Sequence, residues 1–277
     1  MKYVFRVDAS SKMGTGHVIR CLTLAEILKK NDNEVIFLSR SHDGNLNDLI
    51  YSKGFDLYRL SKPDEGIKSK DKNHTDFYSD WLGVSIQDDL SETINIIKNK
   101  KIDWIIIDHY SIDISWEKKI KLFVKNIMII DDIANREHDC DLLLDQNFFK
   151  DMDHRYEKLI SPKTKTLFGP KYSLIKPEFS ELRKKGIRTN NLKNIFIFFG
   201  GSDPYLLTEK TLEVLSKNNF LSLRLHIAIT DSNKRKDEIK KVVEKRGSAK
   251  LYVQSDQIAS IMNLCDASIG AGGMNTW

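Results

Sequence analysis

A chain of 277 residues with 40% hydrophobic and 30% charged side chains is long enough for two ordinary domains and apolar enough for packed cores, which excludes global disorder. Its 44 basic and 39 acidic residues leave a net charge of +5 spread along the chain. That balance suits a small anionic ligand such as a nucleotide diphosphate and does not mark a nucleic-acid binder. Cys21, Cys140 and Cys265 lie far apart with no CxxC pair, Arg6 interrupts the first apolar run, and no apolar run nears the ~20 residues of a membrane span. These features read as a soluble cytoplasmic protein with reduced thiols, without a disulfide frame, a zinc site, a signal peptide or a membrane segment.

From the N-terminus, short β-rich runs alternate with amphipathic stretches, the βα rhythm of a parallel sheet. Strands are expected at residues 3–7, 34–39 and 56–60, with helices at 17–30 and 46–53. A helix at 85–98 carries Ile86, Leu90, Ile94 and Ile97 on one face. Residues 104–108 (WIIID) form a nearly all-apolar strand, the kind buried on both sides of a parallel sheet. A helix at 115–124 and strands at 126–131 and 142–144 complete a first domain over residues 1–165. The stretch 161–188 holds three of the five prolines, Gly169, Gly186 and a basic run at 183–185, and an interdomain connection is drawn over 166–190. The rhythm restarts with strands at 194–199, 223–229, 250–253 and 267–270 and helices at 205–216, 236–246 and 257–263, a second domain over 191–277. It stops in a glycine-rich turn just past a strand, which reads as an incomplete second domain.

Four segments carry candidate chemistry, each following a strand. In the first, Gly14-Thr15-Gly16-His17 leads from a strand into a helix, flanked by Asp8, Ser10 and Arg20. Glycines admit close approach of a ligand to backbone N–H groups, a helix start attracts anions, and its dipole disfavours imidazolium, leaving His17 able to accept a proton. A tight turn with a capping role explains the same residues. In the second, Asp108, His109 and Tyr110 follow the WIIID strand and are expected in the same crevice as the first loop. Asp108 orients an imidazole, binds a sugar hydroxyl, or merely caps a turn; His109 faces that crevice or is a solvated loop residue. Asp131 and Asp132 follow the next strand, one of them a cap. The third, Phe199-Gly200-Gly201-Ser202-Asp203-Pro204, reads as a diphosphate-facing turn or as a tight turn without ligand, with Asp203 as N-cap and Pro204 at the first helical position. The fourth holds Gly270, Gly272, Gly273 and Asn275. P-loop, HExxH and GxSxG patterns are absent, which weakens kinase, zinc-hydrolase and serine-hydrolase readings.

Together these segments, with CDLLLDQN at 140–147 and GPKYSLIKPEF at 169–179, closely resemble the UDP-2,4-diacetamido-2,4,6-trideoxy-β-L-altropyranose hydrolases of pseudaminic acid biosynthesis, over essentially the whole chain. The resemblance implies an α/β protein of the GT-B type, two Rossmann-like domains facing a cleft. It implies hydrolysis of the anomeric C–O bond of a UDP-sugar with inversion, without metal or cofactor, and His17 activating the water. Gly14, Thr15, Gly16, Arg20, Asp108, His109 and Tyr110 would line the sugar site, and Gly200, Gly201, Ser202, Gly270, Gly272, Gly273 and Asn275 the UDP site. The implied partner is the UDP-sugar, with no nucleic acid and no membrane; the oligomeric state stays open. The family continues beyond residue 277 with an acidic ribose contact, so weakened UDP binding is expected of these residues alone. An inverting UDP-sugar glycosyltransferase and an inactive nucleotide-sugar-binding remnant are the alternatives.

Overall fold

The structure, a computed structural model, describes residues 1–63, 78–185, 191–200, 203–231 and 233–272. The chain divides into two compact units, Met1–Leu174 and Ile175–Trp277.

The first unit is built on a seven-stranded, wholly parallel sheet in the order β3-β2-β1-β4-β5-β6-β7. Its strands are β1 (Lys2–Val7), β2 (Glu34–Arg40), β3 (Asp56–Leu60), β4 (Ile102–Asp108), β5 (Val124–Ile130), β6 (Leu142–Asp145) and β7 (Lys165–Phe168), with helices α1 (Gly16–Lys30), α2 (Asn47–Ser52), α3 (Ile86–Ile97) and α4 (Ile114–Ile120). The sheet direction reverses its winding at β1, where β2 lies on one side and β4 on the other. Such a switch point opens a crevice at the carboxyl ends of the strands.

Side chains alternate across the sheet, so each central strand feeds two cores. Val4, Ile105, Ile107, Ile127, Ile129 and Leu143 face one side, where α3 and α4 contribute Leu90, Ile97, Trp116 and Ile120. Phe5, Val7, Ile106, Met128, Ile130 and Leu144 face the other, against Val18, Cys21, Leu22 and Ala25 of α1 and Ile50 of α2. Burial on both faces is why WIIID reads as a continuous apolar run. The helix expected at 85–98 starts where Ser85 Oγ accepts the N–H of Asp88, a side-chain N-cap.

The stretch expected to be a connection holds regular structure at both its ends. β7 joins the first sheet beside β6, so that sheet extends past residue 165. The second unit opens with α5 (Pro177–Lys185), which packs against α8. Pro177 is the first residue of this helix, a position where a missing N–H costs nothing. The rest of the unit is β8 (Asn194–Phe198), α6 (Leu207–Leu215), β9 (Arg224–Ile229), α7 (Lys236–Arg246), β10 (Ala249–Val253), α8 (Ile258–Asn263) and β11 (Ala267–Gly270), on a parallel sheet ordered β10-β9-β8-β11. Among the described residues no helix is long and apolar enough to cross a membrane.

Candidate active site

At the carboxyl edge of the first sheet, β1, β4, β5 and β6 each lead to a buried aspartate: Asp8, Asp131 and Asp145 at one level, and Asp108 one residue before it, level with Val7 and Ile130. Each carboxylate is paired with an arginine: Asp8 with Arg6, Asp108 with Arg20, Asp131 with Arg136 and Asp145 with Arg155. Buried charges persist only when compensated in this way. Among the described residues no group of three His, Cys, Asp or Glu side chains is arranged to hold a metal ion.

The alternation that divides the core also divides these charges. Asp108 shares the α1 face with Ile106, and there His17 Nδ1 lies 2.6 Å from its Oδ1. Arg20 grips the same carboxylate with two N–H groups, Nε to Oδ2 and Nη2 to Oδ1, each at 2.6 Å. Arg20 Nη2 also lies 3.2 Å from His17 Nδ1. A nitrogen and a carboxylate oxygen at 2.6 Å require a hydrogen between them, so Nδ1–H donates to Asp108 and the arginine is its neighbour on the same acceptor. That tautomer leaves Nε2 as the nitrogen able to take up a proton. Burial opposes ionisation of Asp108, but Arg20 and then His17 outweigh it and hold the carboxyl far below the usual range. Burial likewise opposes the charge on Arg20, and Asp108 and Asp132 overcome it. The Asp108 side chain is 0% exposed and that of His17 10%, so the dyad is an ionised carboxylate beneath an imidazole near the surface.

The loop before α1 is stiffened from within. Ser10 Oγ accepts the N–H groups of Lys12 and Met13, and Gly14, at φ +77°, donates its N–H to the Ser10 carbonyl at 2.8 Å. Thr15 is the N-cap residue of α1 yet its side chain makes no capping hydrogen bond, and a Cβ on Gly16 would meet no atom within 4 Å. Aromatic rings wall the imidazole: Tyr110 meets it edge-on at 4.7 Å between centroids and Trp81 at 6.1 Å, while Trp81 and Tyr110 stack at 5.5 Å and Tyr78 adjoins both.

His109 departs from the expectation that it shares this crevice. One residue past Asp108, it turns to the opposite face, where Nδ1 accepts the N–H of Ser111 and Nε2 sits 3.3 Å from Asp8 Oδ2. It is buried rather than solvated. Asp8, flagged with the first loop, belongs to that face as well, bonded to Arg6 and to the Arg40 N–H. The same parity separates Asp131 from Asp132. Asp131 accepts the N–H of Ala134 as a turn cap, and Asp132 reaches Arg20, Tyr110 and Asn147 beside the dyad. Asp132 is thus the member of the expected pair that reaches the site, as counting by twos along β5 selects; Trp81 and Tyr78 are site neighbours outside the expected set, at a short 3₁₀ turn with no periodic signal.

In the second unit, register pairs Gly270 with Phe198, so the Gly200 loop after β8 and the glycines after β11 leave adjacent strands at one edge. Gly201, Ser202, Gly273 and Asn275 lie outside the described residues. Gly200 adopts φ +86°, and added Cβ atoms on Gly200 and Gly272 would meet nothing within 4 Å. Gly270 differs, because its Cβ would lie 2.3 Å from the Phe198 carbonyl oxygen. Gly270→Ala is therefore expected to destabilise the second unit by roughly 1–3 kcal/mol, and Gly272→Ala to leave thermal unfolding unchanged. An unaltered melting curve for Gly270→Ala would show that packing is not what requires this glycine. Asp203 departs from the simple cap expected: α6 starts at Leu207, not Pro204, and the Asp203 carboxylate reaches forward to the N–H groups of Leu207 and Thr208, both at 2.9 Å.

No family model matches the chain. Its fold is that of the GT-B glycosyltransferases, α/β proteins built on parallel sheets: it superposes on TcCGT1 in complex with UDP with a TM-score of 0.60 at 11% identity, covering 99% of this chain and 78% of that one. MurG of Acinetobacter baumannii gives a TM-score of 0.57 at 14% identity, covering 99% and 74%. More specific is a likeness in sequence to the UDP-2,4-diacetamido-2,4,6-trideoxy-beta-L-altropyranose hydrolase of Campylobacter jejuni, 31% identical over 265 residues that make up 95% of this chain and 82% of that protein. The chain belongs to the family of that hydrolase.

Proposed function

We propose that the chain hydrolyses the anomeric C–O bond of a UDP-linked 2,4-diacetamido-2,4,6-trideoxy sugar, releasing UDP and the free sugar with inversion, as a cytoplasmic step of pseudaminic acid biosynthesis. The observation that carries this reading is the His17–Asp108 dyad, with Nδ1 committed to an ionised carboxylate and Nε2 left to take a proton. Water placed against Nε2 attacks C1 from the side opposite the diphosphate. The C1–O bond to the diphosphate breaks, its electron pair leaves with UDP, and the water proton passes to His17. Asp108 stabilises the imidazolium that forms, as the buried carboxylate does in hydrolytic triads. UDP carries its own negative charge away as a good leaving group, so the step as written needs neither a general acid nor a metal.

Gly14 to Gly16 bring backbone N–H groups beside the reacting sugar, with Tyr110 as its wall. His109, facing Asp8, is a structural support rather than a substrate contact. Gly200, Gly201, Ser202, Gly270, Gly272, Gly273 and Asn275 hold the diphosphate and nucleoside.

Hydrolysis of the UDP-sugar in H₂¹⁸O tests this directly. The label is expected at C1 of the released sugar, whose first-formed anomer, read by proton NMR, has the configuration opposite to the substrate. Label in the phosphate of UDP, or no UDP release at all, overturns the proposal.

A further inference from the structure

We propose that Asp132 is the positioning residue of the His17 base, tying together both supports of the imidazole; this rests on the reading of His17 as the proton acceptor. Its carboxylate takes three donors from three elements: Arg20 Nη1 of α1 at 3.0 Å, the Tyr110 hydroxyl beyond β4, and Asn147 Nδ2 beyond β6 at 3.2 Å. Its backbone carbonyl accepts Arg155 Nη2 at 3.0 Å. The side chain is 11% exposed and committed within the protein, so it acts through its neighbours and not on the substrate.

Those neighbours converge on His17. Arg20 aims the Asp108 carboxylate that receives Nδ1–H, and the Tyr110 ring buttresses the imidazole edge-on. One carboxylate thus fixes both the hydrogen-bond acceptor and the packing wall of the base. Displacing a catalytic group by about 1 Å can cost roughly 10²-fold in rate, which is the scale on which such an anchor matters.

Charge gives a second consequence. Against His17 lie Asp108 from β4, Arg20 from α1, Tyr110 beyond β4 and Trp81 from the 3₁₀ turn; behind them, the Cys21 thiol donates to Asp108, Tyr78 packs on Trp81 and Tyr110, and Asp132 pairs with Arg20. Burial raises both the thiol and the phenol far above neutrality, so they stay uncharged. Asp108 and Asp132 thus share one guanidinium, so neutralising Asp132 alters how Arg20 holds Asp108. Asp145, pushed up to about 6 mainly by burial, lies farther along the edge and bonds Arg155 and Tyr156.

The test uses the full chain carrying Asp132→Asn, with His17→Asn identifying the His17 ring signals by their loss. In NMR of the free protein, the downfield Nδ1–H signal of His17, which reports its hydrogen bond to Asp108, is expected to shift upfield or broaden in Asp132→Asn. In turnover, kcat is expected to fall roughly 10-fold to 100-fold with KM within about twofold. An unmoved Nδ1–H signal with kcat within about twofold of the parent overturns the proposal, as does a raised KM with unchanged kcat. Because this signal needs no substrate, a displaced signal in a chain that releases no UDP sinks the hydrolase reading and leaves the positioning role standing. Should Asp132→Asn not fold, Tyr110→Phe serves: it retains the ring and the charge, and a several-fold lower kcat at unchanged KM is expected, against unchanged kcat as the contrary result.

Discussion

His17→Asn is expected to leave the protein folded and to lower the rate of UDP release by roughly 10²-fold to 10⁴-fold, the range attributed to general-base assistance. The amide Nδ2 of asparagine can donate to Asp108 Oδ1 where Nδ1 does now, so the buried carboxylate keeps its partner. Nothing replaces Nε2, and the attacking water loses its proton acceptor. Asp108→Asn makes the informative contrast. It removes the same activity by unsettling the tautomer and the developing imidazolium, and it also strips Arg20 of the carboxylate that its Nε and Nη2 groups share. A buried cation left short of its partner costs about 3–5 kcal/mol, so this variant melts well below the parent whereas His17→Asn does not. Turnover measured beside thermal unfolding separates the two. His17→Asn that retains more than about a tenth of parental kcat would falsify the assignment of the base.

The order of elements was legible where two signals agreed. WIIID reads as a strand by composition and as a central one by burial on both faces, and β4 is both. β7 was hidden because KTLF is a short, half-exposed edge strand without an apolar run. α5 is hidden because Pro177 also reads as punctuation, although proline at a first helical position is a start signal. At the site, His17, Arg20 and Asp108 could be found from sequence since each adjoins a strand–loop–helix junction. What the motif could not supply was facing. Asp108 and His109 are consecutive letters, but a period of two sends one to α1 and the other to Asp8. The same rule, carried past Ile130, selects Asp132 and not Asp131 as the neighbour of the dyad.

The charges on the far side of the sheet lead to a second large expected effect on stability, that of Asp89→Asn. Asp89 lies on α3, wholly buried, and accepts Arg6 Nε at 3.2 Å, Arg6 Nη2 at 2.5 Å and Arg40 Nη2 at 2.7 Å. Asp8 is the second carboxylate of this cluster, and His42 and His109 face it. Two guanidiniums and two carboxylates therefore balance inside the protein. An asparagine amide is isosteric but removes one negative charge and turns an N–H₂ donor toward one of the arginines. A loss of about 3–5 kcal/mol follows, which in a unit of this size lowers its melting temperature by roughly 10 °C. Glu92→Gln, at the half-exposed rim of the same cluster, should cost less than about 1 kcal/mol. The pH dependence has the same origin. Burial opposes the charges on Asp8 and Asp89, and the arginines overcome it to hold both below the usual carboxylate range. Their stabilisation is complete above the unfolded value of about 4 and is lost as pH falls through the folded values. Burial also lowers His109, so the unfolded chain takes up that proton first and stability starts to decline below about pH 6.5. Acid unfolding of the parent should accordingly begin gradually below pH 6.5 and steepen below about 4. Asp89→Asn should start from lower stability and lose less in the second phase, having one fewer carboxylate to protonate. An acid transition of unchanged steepness in Asp89→Asn would show that this carboxylate is not among the groups that drive it.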